Sequence, residues 1–402
     1  MKIMAVICEY NPFHNGHAYQ LNEQKKALSC DGVICLMSGS FVQRGEPAIC
    51  DKWARAEMAL ACGCDLVLEL PVIYSLQSAE GFARGAVTLL KELGAEGYLA
   101  FGSECGDVKL LQDVAAYSET ESYQNSLKNA LLSGLSYPAA CSLAFASNPE
   151  LSANLAEQPN DILGIEYIRA INKANAPLTP LAIRRIGDYN SREPVDNFLS
   201  ATGIRQKISA GEDIRPYMPP KAHAILQQEI KEGRAPVTPD GLTKLLQYAL
   251  LRADKSDLCD ICGISEGLEN RIVDAAAKLH DFYEVAQAAK TKRYPQTRLQ
   301  RAMINILLGI TKGDAALSPA YARVLGMNEN SGAILKQLRE KSAIPIITKT
   351  ADASLKDENA KRMFALDCTA TDLYSLLYPE KNKGKNGMDF YRSPMVIQSQ
   401  PE

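Results

Sequence analysis

The first hundred residues alternate between short apolar runs and amphipathic stretches, and that alternation constrains the fold more than any other feature. "KIMAVICEY" (2–10), "DGVICLMSG" (31–39), "DLVLELP" (65–71) and "EGYLAFGSE" (96–104) are apolar runs of strand length. Between them lie "NGHAYQLNEQKKAL", "DKWARAEMALACG" (51–63) and "SAEGFARGAVTLLKELG" (78–94). These have helical spacing, and Gly63 and Gly94 close the last two. A strand that is apolar throughout must be covered on both faces. Strands and helices in strict alternation, with short joints, predict an α/β chain built on a doubly wound parallel sheet of Rossmann type.

The pattern then changes. Residues 107–176 read as mainly helical, "LTPLAIRRIGDYN" (178–190) as one more strand, and "SATGIRQKISAG" (200–211) as a short helix. The Pro-rich "PYMPPKAHAI" marks a boundary near residue 212. Residues 221–312 have helical spacing throughout, and "SAIPIITKT" (342–350) is a single late strand-like run. The end, "EKNKGKNGMDFYRSPMVIQSQPE", is polar and glycine-containing. The expected organisation is an α/β domain over 1–210, a mostly helical domain over 211–380 and a flexible tail over 381–402.

A net charge of −3 gives no global attraction to nucleic acid, so any such surface must be local. The apolar runs are too short to span a bilayer, and the N-terminus lacks a signal-peptide cleavage pattern. A cytoplasmic protein is expected. Eleven cysteines, an odd number at irregular spacing and often inside strand-like runs, fit buried thiols better than a disulfide framework. Cys259 and Cys262 form a CxxC, but structural zinc needs four ligands and the other close pair is Cys62 and Cys64. No metal site is assigned.

Two of the four histidines stand three apart in "EYNPFHNGH". Pro12 suits a helix entry, so the first strand ends near Tyr10 and a helix begins near Asn15. His14 and His17 then share a face of its first turn, with Gly16 between them to admit a ligand to the backbone. Helix N–H groups point to the same place, at the carboxyl edge of the first strand, and favour an anion. The natural ligand is a polyphosphate. A metal pair with Glu9, or simple packing, is the alternative reading.

"HNGH" resembles the signature of the HIGH-motif nucleotidyltransferases, and "LSATGIRQKIS" (199–209) resembles their second phosphate-binding element. Ser200 would cap that helix, with Thr202 and Arg205 on one face. Ala201 departs from the pattern, where a second serine is common. Further landmarks are "SGSFVQRGEPAICDKWARAEMALACGCDLVLELP" (38–71), "FGSE", "QPNDILGIEYIRA" (158–170), "IRRIGDYN", "GLENRIVDAA" and "KRYPQTRLQRAMINILLGI" (292–310). With these, the chain resembles the bacterial tRNA(Met) cytidine acetate ligase family over nearly its whole length.

That resemblance implies an enzyme that activates acetate with ATP as acetyl-adenylate. It then acetylates the N4 amine of the wobble cytidine of elongator tRNA(Met), giving N4-acetylcytidine. It implies catalytic roles for His14, His17 and Arg205. It implies ATP contacts at Ile7, Glu9, Asn11, Pro12, His14, Gly16, His17, Gly102, Asn160, Arg185, Ser200, Thr202 and Arg205. Asn160 could equally be a helix cap, and Arg185 with Arg184 an exposed pair. Polyphosphate chemistry implies Mg²⁺. "KTKRYPQTRLQR" (290–301) carries Lys290, Lys292, Arg293, Arg298 and Arg301 with no acid, the electrostatic footprint of an RNA surface. Arg44, Lys52 and Arg55 form a second basic group, read either as a phosphate contact or, for Lys52 and Arg55, as a solvated helix face. Two other readings stay open: a nucleotidyltransferase for a small phosphorylated coenzyme precursor, and a non-catalytic ATP-sensing RNA-binding protein.

Overall fold

A computed structural model describes residues 1–398 apart from 29, 136, 147, 149–150, 152–157, 187–193, 266 and 292–293. Among the described residues, eight strands form one sheet. They are β1 (Ile3–Cys8), β2 (Gly32–Ser38), β3 (Leu66–Leu70), β4 (Gly97–Ser103), β5 (Leu178–Arg184), β6 (Ala322–Asn328), β7 (Ile346–Ile347) and β8 (Met395–Ile397). Their order across the sheet is β8-β6-β3-β2-β1-β4-β5, with β7 paired to β6. The pairings are parallel except that of β6 with β3. The helices that matter for the site are α1 (Asn15–Ala27), α2 (Lys52–Ala61), α3 (Ala79–Glu92), α4 (Pro159–Ala174), α5 (Ala201–Ser209) and α6 (Gln296–Leu308).

Strand periodicity distributes β1 between two cores. Ile3, Ala5 and Ile7 pack in the cluster that holds Phe82 and Leu89 of α3 and Tyr167 of α4. Met4, Val6 and Cys8 pack in the one that holds Leu21 of α1, Met58 of α2 and Ile204 of α5. The sheet is therefore covered on both faces. β1 lies between β2 and β4, so the winding reverses there. The crevice of such a sheet opens at the carboxyl ends of β1 and β4.

The C-terminal region returns to this sheet, which the expected boundaries at 210 and 380 did not anticipate. β6 arises beyond the helical run 221–312, inside the domain expected to be mostly helical. "ARVLGMN" was missed because its seven residues, interrupted by Gly326 and ending in Asn328, give a weak apolar signal, and its place antiparallel to β3 is set by a pairing distant in sequence. The late run 342–350 contributes only Ile346–Ile347. The expected flexible tail carries a short helix, Met388–Tyr391, and β8.

What ties the tail down is a buried ionic cluster. Lys52 Nζ lies 3.0 Å from Glu69 Oε1 and 2.7 Å from Asp389 Oδ1. Arg323 on β6 bonds the same two carboxylates, with Nη1 2.9 Å from Asp389. Two cations and two anions, each no more than 3% exposed, balance. Burial disfavours the Asp389 carboxylate, but Arg323 and Lys52 outweigh it and hold its pKa below the ordinary value. Lys52 is thus neither a phosphate contact nor a solvated face. One cysteine pair also departs from the free-thiol expectation: Cys35 of β2 and Cys64, just before β3, are joined as a disulfide, their Cα atoms 6.5 Å apart.

Candidate active site

β1 ends at Cys8, and the chain reverses through Tyr10 (φ 48°) and a cis Asn11–Pro12 bond into α1. His14 is the N-cap of α1. Its Nδ1 accepts from the Gly16 amide at 3.0 Å, and its own amide donates to His17 Nδ1 at 3.3 Å. Two backbone donors that a helix start leaves without partners are thereby satisfied by imidazoles. With Nδ1 accepting in both rings, the proton of each neutral imidazole sits on Nε2. The rings stack with centroids 3.7 Å apart. Burial, aided by Arg185 and Arg205, lowers the His14 pKa to about 3. Burial, His14 and Arg185 likewise hold His17 well below the usual histidine range. Both are neutral N–H donors at pH 7. A Cβ at Gly16 would lie 2.8 Å from His14 Cε1, so glycine is required by the histidine ring itself.

α5 begins with Ser200 as its N-cap, the hydroxyl accepting from Gly203 N–H at 3.1 Å. One turn on, Arg205 donates to Asn11 O at 2.8 Å and to Thr202 Oγ1 at 3.4 Å, and lies 3.5 Å from Glu46 Oε2. The two sequence motifs are stapled together by this one guanidinium. Arg185 leaves the end of β5 beside Gly102, where an added Cβ would come within 3.1 Å of Arg185 Cγ. Asn160 is not the cap of α4, which is Gln158. Glu104 accepts from the Asn160 side chain at 2.5 Å and from the Asn160 and Asp161 amides at 3.2 and 2.8 Å.

A hairpin formed by Phe41–Val42 and Glu46–Pro47 edges the site. The Gln43 amide donates to Glu9 Oε1 at 2.7 Å. Burial raises the Glu9 pKa, against the pull of that amide and of Arg44, Arg205 and Arg55. Arg55 is wholly buried. It donates to the carbonyls of Cys50 (3.2 Å), Glu9 (2.6 Å), Ser38 (3.1 Å) and Gly39. Its charge lies under the carboxyl ends of β1 and β2, where it fixes both loops. Its i, i+3 spacing from Lys52 carried no sign of this.

These elements enclose a cleft of about 1070 Å³. Ile7, Glu9, Asn11, His14, His17, Gly102, Asn160, Arg185, Ser200, Thr202 and Arg205 all line it. Gly16 lines an adjoining recess of about 550 Å³ with Tyr19, Ile183 and Phe198. Pro12 is buried behind the cleft. The structure also brings in residues the sequence did not single out: Phe82, Phe101, Leu163 and Tyr167. They come from α3, β4 and α4; Phe101, Leu163 and Tyr167 lie in stretches already quoted as landmarks, but no role was read for them because their common surface exists only after folding.

The basic segment 290–301 divides. Lys290 is exposed, and Lys292 and Arg293 lie outside the described residues. Arg298 donates to Ser265 Oγ at 3.0 Å and stacks over Tyr294 at 4.7 Å. Arg301 donates to Gln43 O at 3.0 Å, and burial with Arg298 lowers its pKa to about 10. A Cβ at Gly45 would overlap the Arg301 amide. Arg301 thus belongs to the cleft's hairpin and not to an open surface. Tyr283 likewise faces Glu46, the partner of Arg205. Among the described residues, no group of three His, Cys, Asp or Glu could hold a metal, and no helix is long and apolar enough to cross a membrane.

The profile of the HIGH nucleotidyl transferase family matches residues 1–389. The tRNA(Met) cytidine acetate ligase of Acetivibrio thermocellus is 40% identical, over 99% of this chain and 100% of its own. The same-named protein of a Thermoanaerobacter species is 42% identical, over 97% and 98%. The crystal structure of apo Thermotoga maritima TmcAL superposes with a TM-score of 0.93 at 33% identity, covering 99% of this chain and 100% of that one. The same protein bound with alpha-thio ATP gives 0.91 at 35% identity, with the same coverage.

Proposed function

The chain belongs to the HIGH nucleotidyl transferase family and, within it, to the tRNA(Met) cytidine acetate ligases; from that premise we propose how its cleft divides the work. The protein is an ATP-dependent ligase. It joins acetate to the wobble cytidine of elongator tRNA(Met). Acetate attacks the α-phosphorus of ATP, pyrophosphate leaves, and acetyl-adenylate forms. The cytidine N4 amine then attacks the acetyl carbonyl, AMP leaves, and a proton is lost from nitrogen.

The observation that carries this reading is the pair of neutral imidazoles. Each has Nδ1 committed to a backbone N–H and Nε2–H free to donate into the cleft. Phosphoryl-type transfer needs positioned donors more than it needs covalent chemistry. His14 and His17 stabilise the charge that develops at the α-phosphate. Thr202, Ser200 and Arg205 hold the phosphates beyond it, and Arg185 adds positive charge. Adenosine lies across Gly102, within reach of Asn160. Mg²⁺ would be held chiefly by the triphosphate itself and would supply counter-charge there, for the described residues offer no cluster of three His, Cys, Asp or Glu to cage it. The enzyme works in the cytoplasm, where its tRNA is.

Mass spectrometry of tRNA nucleosides after incubation with protein, ATP and acetate tests the whole reading. N4-acetylcytidine that depends on both small molecules is expected. Acetylcytidine that forms without ATP would overturn the adenylate.

A further inference from the structure

The cleft has two walls of opposite character, because it straddles the carboxyl edge of the sheet. The wall on the α1 and α5 side carries His14, His17, Thr202 and Arg205. The wall on the α3 and α4 side carries Phe82, Phe101, Leu163 and Tyr167, with Asn160 as its polar member at the start of α4. Phe82, Phe101 and Tyr167 are 2%, 4% and 2% exposed, so they close the cleft at depth. Their positions are fixed by packing. Phe101 and Tyr167 have ring centroids 5.6 Å apart. A Cβ on Gly164 would come within 2.6 Å of Phe101 Cε2, so the ring is seated on the backbone of α4.

We propose that this apolar wall is the acyl pocket of the ligase, and that it selects acetate by shape; the proposal rests on the ligase reading above. In an acyl-adenylate the carbonyl carbon is one oxygen away from the α-phosphorus. If the phosphates lie along the histidine wall, the substituent on that carbon is carried toward the wall opposite. Phe82, Phe101 and Leu163 offer that substituent no charged group and no hydrogen bond, which suits a methyl group. They also leave a longer chain no room without moving packed rings, and close-packed interiors resist such movement. Leu163 is the adjustable member, since it lines the cleft and is only partly buried. A cytosine ring, attached to RNA, has to enter later and from outside. It is not the occupant of this deep end.

The test is ATP–pyrophosphate exchange supported by acetate, propionate or butyrate, without tRNA. One methylene in an apolar pocket is worth about 10–200-fold in discrimination. The unaltered enzyme should prefer acetate to propionate within that range. Leu163→Ala should lower the ratio by roughly tenfold, and Leu163→Phe should suppress exchange with acetate as well. The ratio is insensitive to how much of a variant is folded. If Leu163→Ala leaves the acetate-to-propionate ratio as it was while exchange persists, the acyl pocket is elsewhere. If the unaltered enzyme shows no acetate-dependent exchange at all, the ligase reading itself fails. Phe82→Leu is the second probe from a different helix, and an unmoved ratio there also counts against the wall.

Discussion

The histidine turn of α1 and the basic segment 290–301 both stand out in the sequence as places to hold phosphate, and folding treats them differently. In the histidine turn, the amides of His14 and Gly16 are met by imidazole nitrogens of the same turn, and the Asn11 carbonyl by the Arg205 guanidinium. In the segment 290–301 the local bonds join Thr291 and Tyr294 and leave the cations to other partners. Its two described arginines diverge: Arg298 bonds Ser265 and stacks on Tyr294 of the same segment, and Arg301 bonds the hairpin of the cleft. Local hydrogen bonds preorganise a donor set, whereas a run of like charge is only an inventory whose use depends on what packs against it. The contrast can be broken by substitution.

The largest effect is expected at the histidines. Removing one transition-state donor typically costs about 10²–10³-fold. His17→Ala should slow acetyl-adenylate formation by that factor, read by pyrophosphate exchange, with the fold retained. For His14, asparagine is the sharper substitution. It keeps an acceptor at the helix cap, where alanine would also cost about 1 kcal/mol of stability, but it removes the Nε2–H donor. A normal exchange rate in His17→Ala would make the stacked pair structural.

The next test separates two arginines three residues apart. Arg301 holds the carbonyl of Gln43, whose amide holds Glu9. A hydrogen bond from a charged donor contributes about 1.5–3 kcal/mol, so Arg301→Ala should lower adenylate formation by roughly tenfold or more even without tRNA. Arg298→Ala should not, because its partners are Ser265 and Tyr294. Equal behaviour of the two variants in tRNA-free exchange would restore the segment as a single surface.

A smaller effect is expected from Lys290, Lys292 and Arg293. If Lys290, Lys292 and Arg293 meet RNA phosphates, each lost contact makes the log–log salt dependence of tRNA affinity shallower by about 0.7–0.9. Removing all three charges should reduce the slope by roughly two to three. An unchanged slope in a salt titration would direct attention to Arg44, at the cleft itself.

How legible these regions were follows the same physical division. β1 to β4, the start of α1 at Asn15 and the Ser200 cap are written in local periodicity and capping, and they stand where the spacing put them. The ionic cluster of Lys52, Glu69, Arg323 and Asp389 is not, since its members are drawn from four distant stretches. Lys52 and Arg55 show the cost of reading charge by spacing. Both look like a solvated face, yet one neutralises buried carboxylates and the other collects strand-end carbonyls. The apolar wall escaped notice for a related reason: Phe82, Phe101, Leu163 and Tyr167 look like ordinary core until two layers meet.

The smallest expected change is in the pH response of the histidine turn, and its sign follows from burial. An ordinary histidine titrates near 6.5, whereas burial with Arg185 and Arg205 lowers His14 to about 3. Between those values the unfolded chain takes up a proton that the folded chain refuses. Stability from this group is therefore complete above pH 6.5 and is lost as pH falls toward 3. At pH 5 the loss is about 2 kcal/mol. Urea unfolding at pH 7 and pH 5 should show that the unaltered protein loses about this much more stability than His14→Asn, whose side chain does not titrate. In the ATP-free protein, the His14 imidazole resonance should stay fixed from pH 6 to 8. A resonance that moves through that range would mean a charged, solvated imidazole. The histidine turn would then hold phosphate as the basic segment was expected to, by charge and not by preorganised neutral donors.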